Sequence, residues 1–175
     1  VLCARQRSGG SAGGNRNRGQ GGVAPMIKYL PELTSVVLEE IPDKVSLAVE
    51  ITQCQGSCVG CHSPFLRKDI GEELTEAAIS AMVEDNFGVN CFLFLGEGRD
   101  PEALLRLARH ARSLGLETAL YSGRDEVEDA LYEVFDYIKT GPFIPERGPL
   151  NQTGTNQRLY YHRKDITARL QHKRV

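Results

Sequence analysis

Three cysteines within eight residues, Cys54, Cys58 and Cys61, carry the strongest chemical signal in this sequence. The segment ITQCQGSCVGCHSP spaces them as CxxxCxxC. Three thiolates on one tight loop can ligate three irons of a four-iron, four-sulfur cubane and leave the fourth iron without a protein ligand, open to a substrate. Gly56 and Gly60 suit a loop that wraps closely around a bulky cluster, because a residue without Cβ takes unusual backbone angles at little cost. The rival chemistry is zinc held by the three cysteines and His62. Zinc wants a tetrahedron whose ligands usually come from two separated pairs. Here Cys61 and His62 are adjacent and no second CxxC or HxxxH follows, so the spacing favours the cluster over zinc. An odd, tight group of thiols is poor disulfide material and points to a reducing, cytoplasmic compartment. Cys91 lies in an apolar run and reads as a small core hydrophobe. Cys3 has no assigned role.

These thiols need a scaffold. Residues 46–52, SLAVEIT, alternate apolar and polar side chains as a half-buried strand does, and they end at the cysteines. Residues 74–85 place Leu74, Ala78, Ile79 and Met82 at helical spacing, with Thr75 or Glu76 near the start. Residues 91–95, CFLFL, are an unbroken apolar run bounded by Gly96, the habit of a strand buried on both faces of a parallel sheet. Asp100 and Pro101 form an N-cap and first-turn pair for a second helix that Gly115 stops. Residues 116–121 then read as a strand, 125–134 as a weaker helix, 135–139 as a short strand, and 159–161 as a last strand. The strand, loop, helix order implies parallel crossovers. A short basic helix or a frayed end closes the chain.

At 175 residues the chain fits one domain over residues 26–175, preceded by a Gly- and Arg-rich segment, residues 1–25, that reads as a disordered tail. The tail is too rich in glycine for an amphipathic targeting helix, and a solvated tail is favoured over an RNA-binding one. The net charge of −2 gives no electrostatic reason to expect nucleic acid as the main partner. The longest apolar run is far shorter than the roughly 20 residues of a membrane helix, so no membrane association is expected.

Several segments then point the same way. CxxxCxxC after the first strand of a parallel sheet resembles the radical S-adenosylmethionine superfamily. Cys61-His62-Ser63-Pro64, Leu120-Tyr121-Ser122-Gly123, the run from Asp136 to Phe143, and Thr155-Asn156-Gln157-Arg158 resemble the activating proteins of anaerobic ribonucleoside-triphosphate reductase. The resemblance covers residues 45–160. It implies an oxidoreductase with a [4Fe–4S] cluster on Cys54, Cys58 and Cys61. That cluster reductively cleaves S-adenosylmethionine, and the 5′-deoxyadenosyl radical takes a hydrogen atom from a glycine of the reductase. It also implies a low-potential electron donor such as flavodoxin or ferredoxin. The expected fold is an open, partial parallel βα barrel of five or so strands, because too few residues remain for a complete barrel of about 200 or more.

Two strand ends become candidate cofactor sites. Gly96, Glu97 and Gly98 stand where the superfamily often has a Gly-Gly-acid turn meeting the cofactor's methionine end, although the order here is Gly-Glu-Gly. Tyr121, Ser122 and Gly123 lie at another such end, where a hydroxyl and bare backbone can meet a ribose or carboxylate. Gly60 stands where many members carry an aromatic residue, which leaves one side of the adenine pocket to another residue, with Phe65 as the candidate. His62 can either tune the cluster or face solvent, and Arg158 can either close the site or sit on the surface. The competing functions are a small radical enzyme acting on a metabolite, like the deazapurine synthases, and a non-catalytic zinc module.

Overall fold

The computed structural model describes residues 26–171 apart from Ser57. The segment 1–25, with Cys3, and residues 172–175 of the basic C-terminal segment lie outside the described residues. In chain order the elements are β1 (Lys28–Tyr29), β2 (Ser35–Val37), β3 (Ser46–Glu50), β4 (Glu72–Glu73), α1 (Glu76–Asp85), β5 (Cys91–Leu95), α2 (Pro101–Ser113) and β6 (Glu117–Tyr121). There follow α3 (Asp129–Val134), β7 (Tyr137–Thr140), β8 (Arg158–Tyr161), β9 (Lys164–Asp165) and α4 (Ala168–Gln171).

Seven strands form one mixed sheet in the order β2-β3-β5-β6-β7-β8-β9. Its centre, β3, β5, β6 and β7, is parallel, and β2, β8 and β9 join antiparallel. Among the described residues the sheet is open, with β2 and β9 as its edges and no barrel closure. Four parallel strands and three antiparallel ones therefore stand where five or so parallel strands were expected. The two-residue link between β8 and β9 can only make an antiparallel pair, whereas the stretch 141–157 is long enough for a crossover but holds no helix, and it returns β8 antiparallel beside β7. Strand β1 pairs with β4 in a separate two-stranded ladder beside the exit of β3.

The helices start and stop where the side chains dictate. Thr75 caps α1, its hydroxyl accepting from the Ala78 amide at 3.1 Å. Asp100 caps α2 in the same way through Ala103, at 3.0 Å, and Pro101 fits the first turn, where no amide hydrogen is needed. Helix α3 covers only the second half of 125–134; its first residues form a turn in which Arg124 bonds the Glu128 carboxylate. Among the described residues no helix is long and apolar enough to cross a membrane.

Alternation along the strands divides the core. One face of the sheet, with Val49, Phe92, Phe94, Leu120 and Ile138, packs under α1, α2 and α3. The other, with Ala48, Leu93, Ala119 and Tyr137, meets Ile41, Leu150, Ile166 and Leu170. Phe94 is fully buried and meets Phe135 edge to face at a centroid distance of 5.7 Å. Its truncation to alanine should lower stability by about 3–5 kcal/mol, the range for a buried Phe deletion. Urea unfolding checks this, and a loss under 1 kcal/mol would mean the ring is not the keystone its burial indicates.

Strand register sets up the upper end of the second face. Glu50, Leu95, Tyr121 and Lys139 stand opposite one another across β3, β5, β6 and β7. They form the last rung before the chain leaves the sheet at its C-terminal rim, and the cysteine loop begins immediately after Glu50.

Candidate functional site

Backbone bonds fix both ends of the cysteine loop. Leaving β3, the Thr52 amide donates to the Lys28 carbonyl at 2.9 Å, and the Thr52 hydroxyl donates to the Ile70 carbonyl at 2.8 Å. Gln53 takes a left-handed backbone, φ 58°, and its amide reaches Lys68; the Cys54 amide reaches Leu66 at 3.0 Å. The returning stretch is a 3₁₀ turn, Pro64–Arg67, and the Arg67 guanidinium donates to the Cys58 carbonyl at 3.1 Å. The three thiols are thus held on a loop whose exit and return are strapped together.

All three thiols are free and half-buried. The Gly56 amide points at Cys54 Sγ, 3.3 Å away. A Cβ on Gly56 would lie 3.3 Å from Cys54 Sγ and 3.9 Å from Cys58 Sγ, so both sulfurs turn toward the same bare stretch of backbone. Across the rim, a Cβ on Gly123 would lie 3.6 Å from Cys58 Sγ. Gly60, at φ 74°, faces Pro145: a Cβ there would come within 2.6 Å of the proline Cγ. Among the described residues no three His, Cys, Asp or Glu side chains close on a point that could hold one metal ion. His62 lies against the Phe143 ring at 4.6 Å between centroids.

Two adjoining cavities open beside the thiols. One, of about 260 Å³, is lined by Cys58, Cys61, Tyr121, Lys139, Phe143 and Gln157 among others. The second, of about 660 Å³, shares Cys58, Gly123 and Phe143 and extends along residues 142–146. The aromatic ring at this wall is Phe143, whereas Phe65 lines neither cavity and is 39% exposed in its 3₁₀ turn.

The strand-end candidates divide into two groups. Tyr121 and Gly123 line a cavity, Tyr121 by its ring, since its phenol already donates to the Glu40 carbonyl at 2.6 Å. Burial pushes that phenol well above the ordinary tyrosine range. Gly96, Glu97, Gly98 and Ser122 line neither cavity. Gly96, φ 117°, lies 3.3 Å by its missing Cβ from the Ile51 carbonyl, and Gly98 faces Ile27 at 2.8 Å by the same measure. The Glu97 carboxylate accepts from the Ser122 hydroxyl and from two nitrogens of Arg124, which also grips Glu128. This ion-pair group ties the exits of β5 and β6 together, so the Ser122 hydroxyl and the Glu97 charge are already engaged.

Three residues of the wall carried no role in the sequence reading: Lys139, Phe143 and Gln157. The one local signal for the first was a lysine closing the short strand segment FDYIK. Lys139 is 8% exposed, and its ammonium donates to the carbonyls of Ser122, at 3.2 Å, and Gly141, at 2.6 Å. Burial pulls it down to about 8, while the Cys58 thiol acts in the opposite sense. The Thr155–Arg158 stretch acts as a brace. Gly141, φ 93°, has no side chain where the Asn156 carbonyl passes 3.1 Å from its would-be Cβ. The Asn156 amide donates to Pro142 at 2.9 Å, which sets Phe143 in the wall.

No family model matches the chain, and no curated protein or solved structure matches it.

Proposed function

We propose that this chain is a radical S-adenosylmethionine enzyme of the glycyl-radical activase kind, with anaerobic ribonucleoside-triphosphate reductase as its protein substrate. The observation that carries the reading is the rim itself: three free thiols, two of them turned to the bare backbone of Gly56, at the C-terminal end of a parallel strand and beside a cavity. Ligand sites of open α/β sheets occupy that end. The donor set fits a [4Fe–4S] cluster, since the thiols are soft ligands and the bare backbone of Gly56 leaves space where the Cys54 and Cys58 sulfurs turn. Cys54, Cys58 and Cys61 would hold it. When bound, the cluster supplies the electron that cleaves S-adenosylmethionine to methionine and a 5′-deoxyadenosyl radical.

The chain's own residues position and shield. The Gly56 amide, aimed at Cys54 Sγ, moderates the charge on that sulfur. Gly123 leaves room beside Cys58, and Phe143 and Pro145 line the cavity on the side of Gly60. The larger cavity runs outward past residues 142–146 and is where a glycine-bearing loop of the reductase would enter. A soluble low-potential donor, flavodoxin or ferredoxin, would reduce the cluster in the cytoplasm.

The experiment is anaerobic reconstitution with iron and sulfide, followed by incubation with reductant, S-adenosylmethionine and the reductase. The expected result is 5′-deoxyadenosine and an electron paramagnetic resonance doublet that vanishes when the reductase glycine is changed to alanine. Abundant 5′-deoxyadenosine with no radical on the reductase would discard the partner and leave a metabolite substrate. Stoichiometric zinc in place of iron would discard the enzyme.

A further inference from the structure

We infer that the Lys139 ammonium is the buried counter-charge of the thiol-held cluster, placed to set how readily that cluster accepts an electron. The inference rests on the cluster assignment above and concerns a residue that the CxxxCxxC motif does not include.

Position comes first. Lys139 sits on β7 opposite Tyr121 of β6, on the sheet face turned away from the helices. It lines the same cavity as Cys58 and Cys61. Its two carbonyl partners, Ser122 and Gly141, belong to the loops that leave β6 and β7, so they hold the nitrogen at the rim. An ammonium has three donors, and these bonds use two.

Charge comes second. A buried ammonium without a counter-ion is costly, and carbonyl dipoles offset only part of that cost. Among the described residues no carboxylate pairs with Lys139. Glu97, the acid at the exit of β5, is committed to Arg124 and Ser122. Glu50 stands at the far end of the same rung, beyond Leu95 and Tyr121. The Tyr121 ring faces the ammonium at 6.0 Å to its centroid, and the cavity that Lys139 lines also holds the thiols of Cys58 and Cys61 and the His62 ring. A cubane held by three thiolates is anionic and becomes more so on reduction, and net charge, hydrogen bonding and solvent exposure set its potential. A cation in this shielded position therefore stabilises the reduced form more than the oxidised one. Solvent and salt screen it little.

The test uses the full chain, reconstituted anaerobically as wild type, Lys139→Met, Lys139→Gln and Lys139→Arg. Each is titrated with dithionite in the absence of S-adenosylmethionine, at one pH, with the reduced cluster followed by electron paramagnetic resonance. Iron, sulfide and melting temperature are measured alongside. Lys139→Met and Lys139→Gln should be at least tenfold harder to reduce, a midpoint about 59 mV more negative for a one-electron couple. Lys139→Arg, which keeps the charge, should stay near wild type. Lys139→Gln keeps a donor for the carbonyls and serves where Lys139→Met does not fold. Loss of the cluster from folded Met and Gln variants, with retention in Lys139→Arg, also supports the inference. An unchanged midpoint in a fully loaded Lys139→Met or Lys139→Gln overturns it, as does an equal shift or equal cluster loss in Lys139→Arg. Weakened S-adenosylmethionine binding at an unchanged midpoint likewise overturns it and makes Lys139 the partner of a ligand carboxylate. A wild-type chain that takes up no iron overturns the cluster assignment itself, and this inference falls with it.

Discussion

Cys58→Ala is expected to abolish the cluster and to lower 5′-deoxyadenosine formation by more than ~100-fold, beyond what the loss of an outer hydrogen-bond partner costs a metal site. Cys54→Ala and Cys61→Ala should behave alike, because each thiol would hold a different iron. Cys91→Ala is the informative control. That thiol is fully buried on the strand face away from the helices, and burial pushes it up to about 12. The thiolate, the ligating form, is thereby suppressed. Iron and sulfide content of the reconstituted variants decides the matter. Full content in Cys58→Ala would end the assignment, and loss of iron in folded Cys91→Ala would mean the ligand set has been misdrawn.

The second large effect belongs to a residue with no chemistry of its own. Gly60→Val places a β-branched side chain at φ 74°, a backbone region such residues avoid, and drives its Cβ to within 2.6 Å of Pro145 Cγ. The strain alone is worth about 1–3 kcal/mol. The proline ring is not the end of a flexible side chain, so the loop or the wall must shift. Gly88→Val separates the two contributions, since Gly88 has φ 91° and nothing within 4 Å of its would-be Cβ. Both variants should melt lower. Only Gly60→Val should also lose most of its capacity for iron, because its clash lies one residue from Cys61. Equal melting losses with normal iron in both would show that Gly60 is an ordinary turn glycine.

The parts of the fold that announced themselves in sequence were those whose side chains decide locally. CFLFL suited a strand buried on both faces, and Asp100-Pro101 with Gly115 bracketed α2 almost to the residue. Strand β2 gave no such sign. Val36 is 44% exposed and the strand is held by pairing with β3, which is a tertiary fact. The thiols were legible because ligation imposes spacing. Lys139 was not, since a lysine in a short strand ordinarily reaches solvent, and its burial depends on the register between β6 and β7. Glu97 reads in sequence as part of a Gly-Glu-Gly turn that could meet a cofactor, and only the folding of Arg124 across the rim reveals its carboxylate as engaged. Phe143 follows Gly141-Pro142, a pair that marks a turn and says nothing of the wall it supplies.

The cradle and the chamber wall are drawn from different stretches of the chain. The thiol loop is strapped by contacts within residues 28–70, whereas Lys139, Phe143, Pro145 and Gln157 come from the last third. The Gly60–Pro145 and His62–Phe143 contacts are the joints between them. Inheritance can therefore act on the two stretches separately. A lineage could exchange residues 146–154 and admit a different guest while the loop that carries the electron chemistry is left intact, provided those two joints and the Asn156 brace behind Phe143 are kept.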